Sequence, residues 1–275
     1  MGGVPRVDVK KFIGINSIAA YINVIDDIKD MWLVHEEGGL SLTKSLFEVK
    51  GEFYKGERIY RVISQPFYNL IKVNTNLLKE LIKKLIEVLD LLQHLKIVHC
   101  DLKPENILIS YDGKEVTIKV IDFGSAFMHG QEGLFRMATP EYMPPECLEV
   151  MKTSTGNLSE LSHRTQAWSI DMWSTGAILL EILTGFPLWL SLKGRAQGVN
   201  RPIVGQGVFA VKGKEFSKII QKQVDTIPKL REVLKRYDTF IQDESLINLL
   251  ERMLDLNAKT RISPKEALKH PALTS

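Results

Sequence analysis

The chain has 275 residues, of which 44% are hydrophobic and 25% are charged, a composition typical of a soluble globular protein with one large domain or two small ones. Its formal net charge of +3 is too small to indicate nucleic acid as a partner. The two cysteines, Cys100 and Cys147, indicate no disulfide framework and favour a reducing compartment, so we expect a cytoplasmic or nuclear protein.

The first 35 residues predict short strands. Apolar residues alternate or cluster over 11–15, 20–25 and 31–35, with turn residues such as Asp26 and Asp27 between them. The polar, glycine-containing run from Glu36 to Gly39 then predicts a flexible junction.

The pattern then changes to the period of a helix. Leucine and isoleucine recur at helical spacing from Leu77 to Leu95, with Asn76 as the N-cap. Two short strands are predicted over 106–110 and 116–121, and residues 125–145 are irregular. Further helices are predicted over 171–184, 214–237 and 243–254, and Ser263 begins another with a capping signal.

One apolar stretch, Met172 to Leu190, is long enough to be tested as a membrane span. It contains Glu181 and Pro187, and the part without a charge is too short to cross a bilayer. We expect a helix that is buried on all sides within the protein.

Residues 99–108 and the Asp-Phe-Gly sequence at 122–124 carry the strongest chemical signal. They place Asp101, Lys103 and Asn106 within six residues, and Asp122 after a hydrophobic strand. Phosphoryl transfer uses a carboxylate to orient the attacking hydroxyl, a cation on the moving phosphate and two oxygen ligands for magnesium. In this order and spacing, the two motifs resemble the catalytic loop and magnesium motif of eukaryotic protein kinases.

The resemblance implies an α+β, protein-kinase-like fold. Residues 1–35 would be strands of a partial N-terminal β-lobe, 36–40 the hinge, and 41–275 the helical C-terminal lobe with an insertion at 191–214. It also implies ATP and Mg²⁺ as cofactors and a protein substrate, with no nucleic acid or membrane partner. The insertion is a candidate docking surface.

The resemblance assigns roles to individual residues. Asp101 would accept or orient the proton of the substrate hydroxyl, and Lys103 would neutralise the γ-phosphate. Thr139 would bond both of them, which favours serine and threonine acceptors. Asn106 and Asp122 would hold the metal. The expected nucleotide-binding residues are Glu36, Gly38, Asn106, Leu108 and Asp122.

The resemblance continues downstream of the catalytic loop. Residues 138–146 look like the segment that closes the activation loop, although Pro144 stands where alanine is usual. Glu146 would form a buried ion pair with Arg261. Asp171 would brace the backbone of the catalytic loop, and His270 with Pro271 matches the terminal helix.

Cys100 departs from the arginine that binds an activation-loop phosphate in most protein kinases. A thiol makes no bidentate phosphate contact, so we expect little control by loop phosphorylation. The sequence around Cys100 resembles the dual-specificity tyrosine-regulated and homeodomain-interacting kinase groups. Their Tyr-x-Tyr sequence is missing between Gly124 and Glu146.

A protein kinase also needs a glycine-rich loop, a strand lysine and a helix glutamate before the hinge. Five strands and a helix with their turns need roughly 60 residues, whereas 35 precede Glu36. We therefore expect these parts to be missing. The run from Val204 to Lys212 imitates a glycine loop, but it leaves no room for a hairpin and predicts a surface insertion loop.

Three interpretations remain open at this point. The chain is a serine/threonine kinase whose N-terminal part is truncated, or a short pseudokinase or scaffold with weak nucleotide binding, or a non-enzymatic helical binding domain that inherited kinase motifs.

Overall fold

A computed structural model of the protein describes residues 8–27, 29–54, 57–135, 139–154, 156–185, 195–197, 205–206, 214–237 and 243–274. It combines helices with four small sheets, which confirms the α+β class. The division into a partial β-lobe, a hinge and a helical lobe stays a prediction.

The N-terminal part contains a two-stranded antiparallel hairpin. Its strands are β1 (Tyr21–Asp26) and β2 (Met31–His35), close to two of the predicted strands. Large apolar side chains of the hairpin are exposed, among them Trp32 at 61% and Leu33 at 63%. Within the described residues, this hairpin is therefore a sheet without a packed face.

The next elements lead from the hairpin to the first long helix. They are β3 (Leu40–Ser41), α1 (Leu42–Leu46), β4 (Phe47–Tyr54), β5 (Glu57–Ser64), α2 (Pro66–Val73) and α3 (Thr75–His94). Helix α3 buries ten apolar side chains, as its periodicity predicted. Its N-cap is Asn74 and not Asn76, because the Asn74 side chain accepts a hydrogen bond from the Leu77 N–H.

The predicted strand over 11–15 is wrong. Val9–Lys11 and Ile13–Ser17 are short 3₁₀ turns, and the second lies against α3. A Cβ atom on Gly14 would lie 2.1 Å from the carbonyl oxygen of Glu87 on α3. The turn packs on α3 with Gly14 and Ser17 buried, whereas Ile13 is 70% exposed, so its apolar residues do not mark strand pairing.

Short strands flank the candidate catalytic loop. They are β6 (Ile97–Val98), β7 (Ile107–Tyr111), β8 (Val116–Val120) and β9 (Phe127–Met128). The antiparallel pair β7–β8 confirms both strands predicted here, and β3 adds to it along β7. The hinge segment is thereby attached to the strand that follows Asn106.

The C-terminal part is helical. Its helices are α4 (Pro145–Ser154), α5 (Leu158–Arg164), α6 (Ser169–Thr184), α7 (Lys214–Thr226), α8 (Leu230–Arg236), α9 (Glu244–Met253), α10 (Pro264–Ala267) and α11 (Pro271–Thr274). All sixteen residues of α6 are buried, as expected for this stretch. The single helix predicted over 214–237 is interrupted at Pro228, which lacks the N–H that a helix interior needs. The capping box of Ser263 and Glu266 is confirmed.

Across the described ranges, no helix is both long enough and apolar enough to span a bilayer.

A four-stranded sheet joins two distant segments that the sequence did not pair. The hairpin β4–β5 is extended by β10 (Arg195–Gln197) and β11 (Gly205–Gln206), in the order β11-β10-β5-β4. No element was predicted over 47–64. Gly205 and Gln206 belong to the imitation glycine loop, and the rest of that loop lies outside the described residues.

Candidate active site

The carboxylate of Asp101 is the centre of a compact polar network. Its Oδ1 accepts hydrogen bonds from the N–H of Thr139 at 3.1 Å and from the Thr139 hydroxyl at 3.0 Å. Its Oδ2 accepts from Lys103 Nζ at 2.8 Å and from Asn106 Nδ2 at 3.1 Å. The structure therefore brings four of the predicted site residues into contact around one carboxylate.

Lys103 connects the catalytic loop to the segment around Thr139. Besides its ion pair with Asp101, its Nζ donates to the Thr139 hydroxyl at 2.9 Å. The ammonium is partly buried, with 21% of the side chain exposed. It can therefore reach a ligand from outside while staying paired, because Lys has three donor hydrogens.

Asp171 on α6 holds the backbone that precedes Asp101. Its two carboxylate oxygens accept from the N–H groups of His99 at 2.8 Å and Cys100 at 3.0 Å. Burial raises the pKa of Asp171, while these bonds and His99 act in the opposite direction. Cys100 has a left-handed φ of 66°, so this external bracing offsets local backbone strain. The predicted bracing role is confirmed.

Asp122 lies next to Asn106 through the backbone. It follows β8 with a left-handed φ of 62°, and the N–H of the preceding residue, Ile121, donates to the Asn106 carbonyl at 3.0 Å. Because the Asn106 amide nitrogen is directed at Asp101, its oxygen lies on the opposite side of the amide group. An amide oxygen and a carboxylate are the hard donors that Mg²⁺ prefers, so these residues fit a divalent ion that also keeps phosphate and water ligands.

No three His, Cys, Asp or Glu side chains within the described residues are grouped to hold a metal by themselves.

The ring of His99 ties the catalytic loop to the Asp-Phe-Gly sequence. It packs on Phe123 with a distance of 4.6 Å between ring centroids, and its Nε2 lies 3.0 Å from the carbonyl oxygen of Ile121. The loop and the Asp122 turn are thus held by packing as well as by polar contacts.

The predicted nucleotide-binding residues of the hinge lie against β7. A Cβ atom on Gly38 would come within 2.7 Å of Leu108 Cδ1, so the hinge main chain rests directly on this side chain. The Glu36 carboxylate is engaged elsewhere, because its Oε1 accepts from Lys119 Nζ at 2.7 Å and from the Ala20 N–H at 2.8 Å. One oxygen of the Glu36 carboxylate is therefore already used by two donors of the protein.

A family model described as the protein kinase domain matches residues 11–273. The chain belongs to the protein kinase family. This confirms the resemblance on which the residue roles were based, although the catalytic, nucleotide-binding and metal-binding roles stay predictions.

Similar proteins lie among the dual-specificity tyrosine-phosphorylation-regulated kinases, which confirms that part of the resemblance. The chain is 30% identical over 246 residues to kinase mbk-2 of Caenorhabditis elegans, an alignment that covers 77% of this chain and 28% of the relative. It is 29% identical over 250 residues to human kinase 3 and 30% identical over 239 residues to human kinase 4 of this group. Each alignment covers 77% of this chain, with 40% and 41% of those relatives. The chain thus spans less than half the length of these relatives.

The chain contains the predicted ion pair between Glu146 and Arg261. Arg261 Nη1 and Nη2 donate to the two Glu146 oxygens at 2.7 and 3.2 Å, and Nη1 also donates to the Ser169 carbonyl at 2.6 Å. The Arg261 side chain has no exposed surface. The pair fixes the start of α4 to the C-terminal helices.

Two further contacts near the candidate site were not predicted. Lys119 on β8 bonds the hinge, and the Tyr142 hydroxyl donates to Glu181 on α6 at 2.6 Å. Burial raises the pKa of Glu181 to about 8. The sequence signal for Glu181 is a lone carboxylate in an apolar helix, whereas a lysine on a short strand usually indicates a solvated face.

Proposed function

We propose that this chain carries the phosphotransfer site of a protein serine/threonine kinase, which transfers the γ-phosphate of ATP to a protein hydroxyl. The observation that carries the proposal is the Asp101 carboxylate in simultaneous contact with Lys103, Asn106 and Thr139. Membership of the protein kinase family supports it.

In this proposal Asp101 orients the acceptor hydroxyl and accepts its proton, and Lys103 neutralises charge on the transferred phosphoryl group. Asn106 and Asp122 hold Mg²⁺, which when bound neutralises phosphate charge and orients the phosphate for in-line attack. The adenine would lie beside the hinge main chain, Glu36 to Gly38, and on the side chain of Leu108.

Serine and threonine are the acceptors that we propose. The Thr139 hydroxyl bonds both Asp101 and Lys103, and so occupies the space beside the catalytic carboxylate. The similar proteins are named dual-specificity kinases, so acceptor choice needs its own measurement. Peptides that differ only by Ser, Thr or Tyr at the acceptor position provide it.

The second candidate function is a pseudokinase or scaffold with weak phosphotransfer. In the described residues before Glu36, 8–27 and 29–35, the elements are two 3₁₀ turns and the β1–β2 hairpin, without a glycine-rich loop that joins two strands. Loss of a charge contact to developing phosphate charge costs several kcal/mol at such sites. We therefore expect the 275-residue chain by itself to transfer phosphate poorly.

Nucleotide binding and transfer are tested separately on the purified chain. ATP with Mg²⁺ should raise the melting temperature, and Asp122→Asn should remove the Mg²⁺-dependent part of this increase. Residual transfer to a basic protein should fall roughly 10²- to 10⁴-fold in Asp101→Asn. The matched control is Asp112→Asn, an exposed turn carboxylate whose loss should leave both measurements unchanged.

The outcomes separate the candidates. Transfer that is lost in Asp101→Asn supports the kinase, and Mg²⁺-dependent binding without transfer supports the pseudokinase. No increase in melting temperature at millimolar nucleotide contradicts both and favours the non-enzymatic binding domain. Docking at 191–214 and a cytoplasmic or nuclear location stay predictions.

A further inference from the structure

Lys119 on β8 joins three segments of the chain. Its Nζ donates to Glu36 Oε1 at 2.7 Å and to the carbonyl oxygen of Asn16 at 2.8 Å. The first contact lies at the start of the hinge and the second on the 3₁₀ turn that packs on α3. One lysine therefore connects β8, the hinge and the segment before β1.

Hydrogen bonds from main-chain N–H groups add to the contacts of Lys119 and link the same three segments. The N–H of Ala20 donates to Glu36 Oε1 at 2.8 Å, and the Glu36 N–H donates back to the Ala20 carbonyl at 3.0 Å. The Ala19 N–H donates to the Val120 carbonyl at 3.0 Å, next to Lys119. The Glu36 carboxylate therefore attaches the hinge both to β8 and to the segment before β1.

The ion pair is better placed than an ordinary surface pair. The side chains of Lys119 and Glu36 are 21% and 31% exposed, and the carboxylate oxygen has two donors. The hydrogen bond from Lys119 lowers the pKa of Glu36, because it favours the charged form of the carboxylate. Charge-assisted bonds of this kind are roughly twice as strong as neutral ones.

The hinge main chain has little freedom beside this pair. Gly38 lies so close to Leu108 and to the Cβ atom of Lys119 that even a methyl group would not fit. A small displacement of the hinge would therefore move its main chain relative to Leu108. An aromatic ring that binds beside both would sense such a displacement, because a misplacement of about 1 Å is costly where groups must be held in register.

We propose that Lys119 is a positioning residue for adenine. Through its ion pair with Glu36 it holds the hinge main chain against Leu108, in the position that receives the adenine ring. This inference rests on the proposed nucleotide binding by the kinase site and adds the residue that sets its affinity.

The test compares Lys119→Met, Glu36→Gln, the double variant and Lys119→Arg. Calorimetry gives Kd for MgATP and for magnesium triphosphate, which lacks adenine. Hydrogen exchange with mass spectrometry follows peptides that cover 16–20 and 36–39 without nucleotide. The matched control is Lys84→Met, because Lys84 is also 21% exposed and pairs with Glu115 at 2.9 Å away from the hinge.

We expect Lys119→Met to weaken MgATP about tenfold, which corresponds to about 1.4 kcal/mol, with triphosphate affinity unchanged. Glu36→Gln should weaken MgATP binding similarly. The double variant should bind MgATP no less tightly than the single variant with the lower affinity, because both substitutions remove the same ion pair. Lys119→Arg should stay within about threefold of the wild type. Exchange should accelerate over 16–20 and 36–39 in Lys119→Met and stay unchanged in Lys84→Met.

Equal losses for MgATP and triphosphate would overturn the proposal, as would additive effects of the two single variants. Unchanged hydrogen exchange in Lys119→Met would show, in the absence of any ligand, that the ion pair does not hold the hinge in place. No MgATP binding by the wild-type chain would overturn the proposed function and the adenine role with it, and faster exchange in Lys119→Met would then identify a purely structural ion pair.

Discussion

The buried charged side chains of this protein differ in the hydrogen-bond partners that compensate for their loss of hydration. Asp171 has two backbone N–H donors, whereas Glu146 faces the guanidinium of Arg261 in a two-point contact. Arg261 also bonds the carbonyl oxygens of Ser169 and Asp255, so its donors are used by surrounding groups. Removal of one partner would leave the other charge buried and unpaired.

Glu146→Ala should therefore destabilise the protein by about 3 to 5 kcal/mol, because the Arg261 charge would be buried without its partner. Urea unfolding measures this change. The control is Glu149→Ala on the same helix, whose pair with Arg164 is half-exposed and should be worth at most about 1 kcal/mol. Equal effects of the two substitutions would contradict the argument.

The 3₁₀ turn at Ile13–Ser17 is attached to α3 by a close approach of two backbones. Gly14 makes the approach possible, because any side chain there would overlap the Glu87 carbonyl. The same segment then carries Asn16, whose carbonyl bonds Lys119. The packing of this turn on α3 therefore contributes to the position of the hinge.

Gly14→Ala should lower the free energy of unfolding by about 1 to 3 kcal/mol, because the backbone must move away from α3. Ile13→Ala is the control, since Ile13 is 70% exposed and should have little effect. Denaturant unfolding gives the loss, and hydrogen exchange over 9–20 shows whether the turn has detached. Gly14→Ala with wild-type stability would mean that α3 accommodates the methyl group.

Elements with a strong local period were predicted from the sequence, and elements defined by distant partners were not. Helix α3 and strands β7 and β8 carry their signals within their own residues. The β4–β5 hairpin, in contrast, is completed by β10 and β11 from a segment far along the chain. Pairing of that kind leaves no local pattern.

The candidate active site likewise contains residues that the sequence identified and contacts that it did not. The sequence identified Asp101, Lys103 and Asn106 as site residues, and the short loop that carries them limits how far apart they can lie. The bond between Lys119 and Glu36 was not predicted, since only the folded sheet brings the hinge beside β8. The residues of the catalytic loop were thus predictable from the sequence, and the contacts that hold the hinge were not.

The buried helix α6 connects regions of the molecule that are distant in sequence. Asp171 at its start holds the catalytic loop, and the Ser174 hydroxyl donates to the Tyr142 carbonyl at 2.8 Å. Glu181 near its end accepts from the Tyr142 hydroxyl. The stability of the whole fold and the geometry of the site therefore depend on the same helix.

Glu181 should give the global stability a pH dependence. Its pKa is about 8 in the folded protein, raised first by burial, against an ordinary value of 4.5. Between these pH values the folded state keeps a proton that the unfolded state releases, so the free energy of unfolding should decrease as pH rises from about 5 to 8. One pKa unit corresponds to about 1.4 kcal/mol, so the total loss should not exceed about 5 kcal/mol.

Glu181→Gln isolates this contribution because it keeps an acceptor for Tyr142 and cannot titrate. Urea unfolding at pH 5, 7 and 9 should show a smaller decline for this variant than for the wild type. Glu149→Gln, a half-exposed carboxylate, should follow the wild type. Parallel curves for the wild type and Glu181→Gln would mean that Glu181 is charged in the folded protein at neutral pH.

The sheet that joins β5 to β10 also has a consequence for the order of folding. Arg195 aligns with Ile59 in a parallel pair, so a long stretch of chain that includes the catalytic loop and α6 must be closed into a loop before this contact forms. Loop closure of this kind costs entropy that only later contacts repay. We expect the helical body to assemble first and this sheet to join it last, so that a newly made chain completes its candidate active site before it completes the four-stranded sheet.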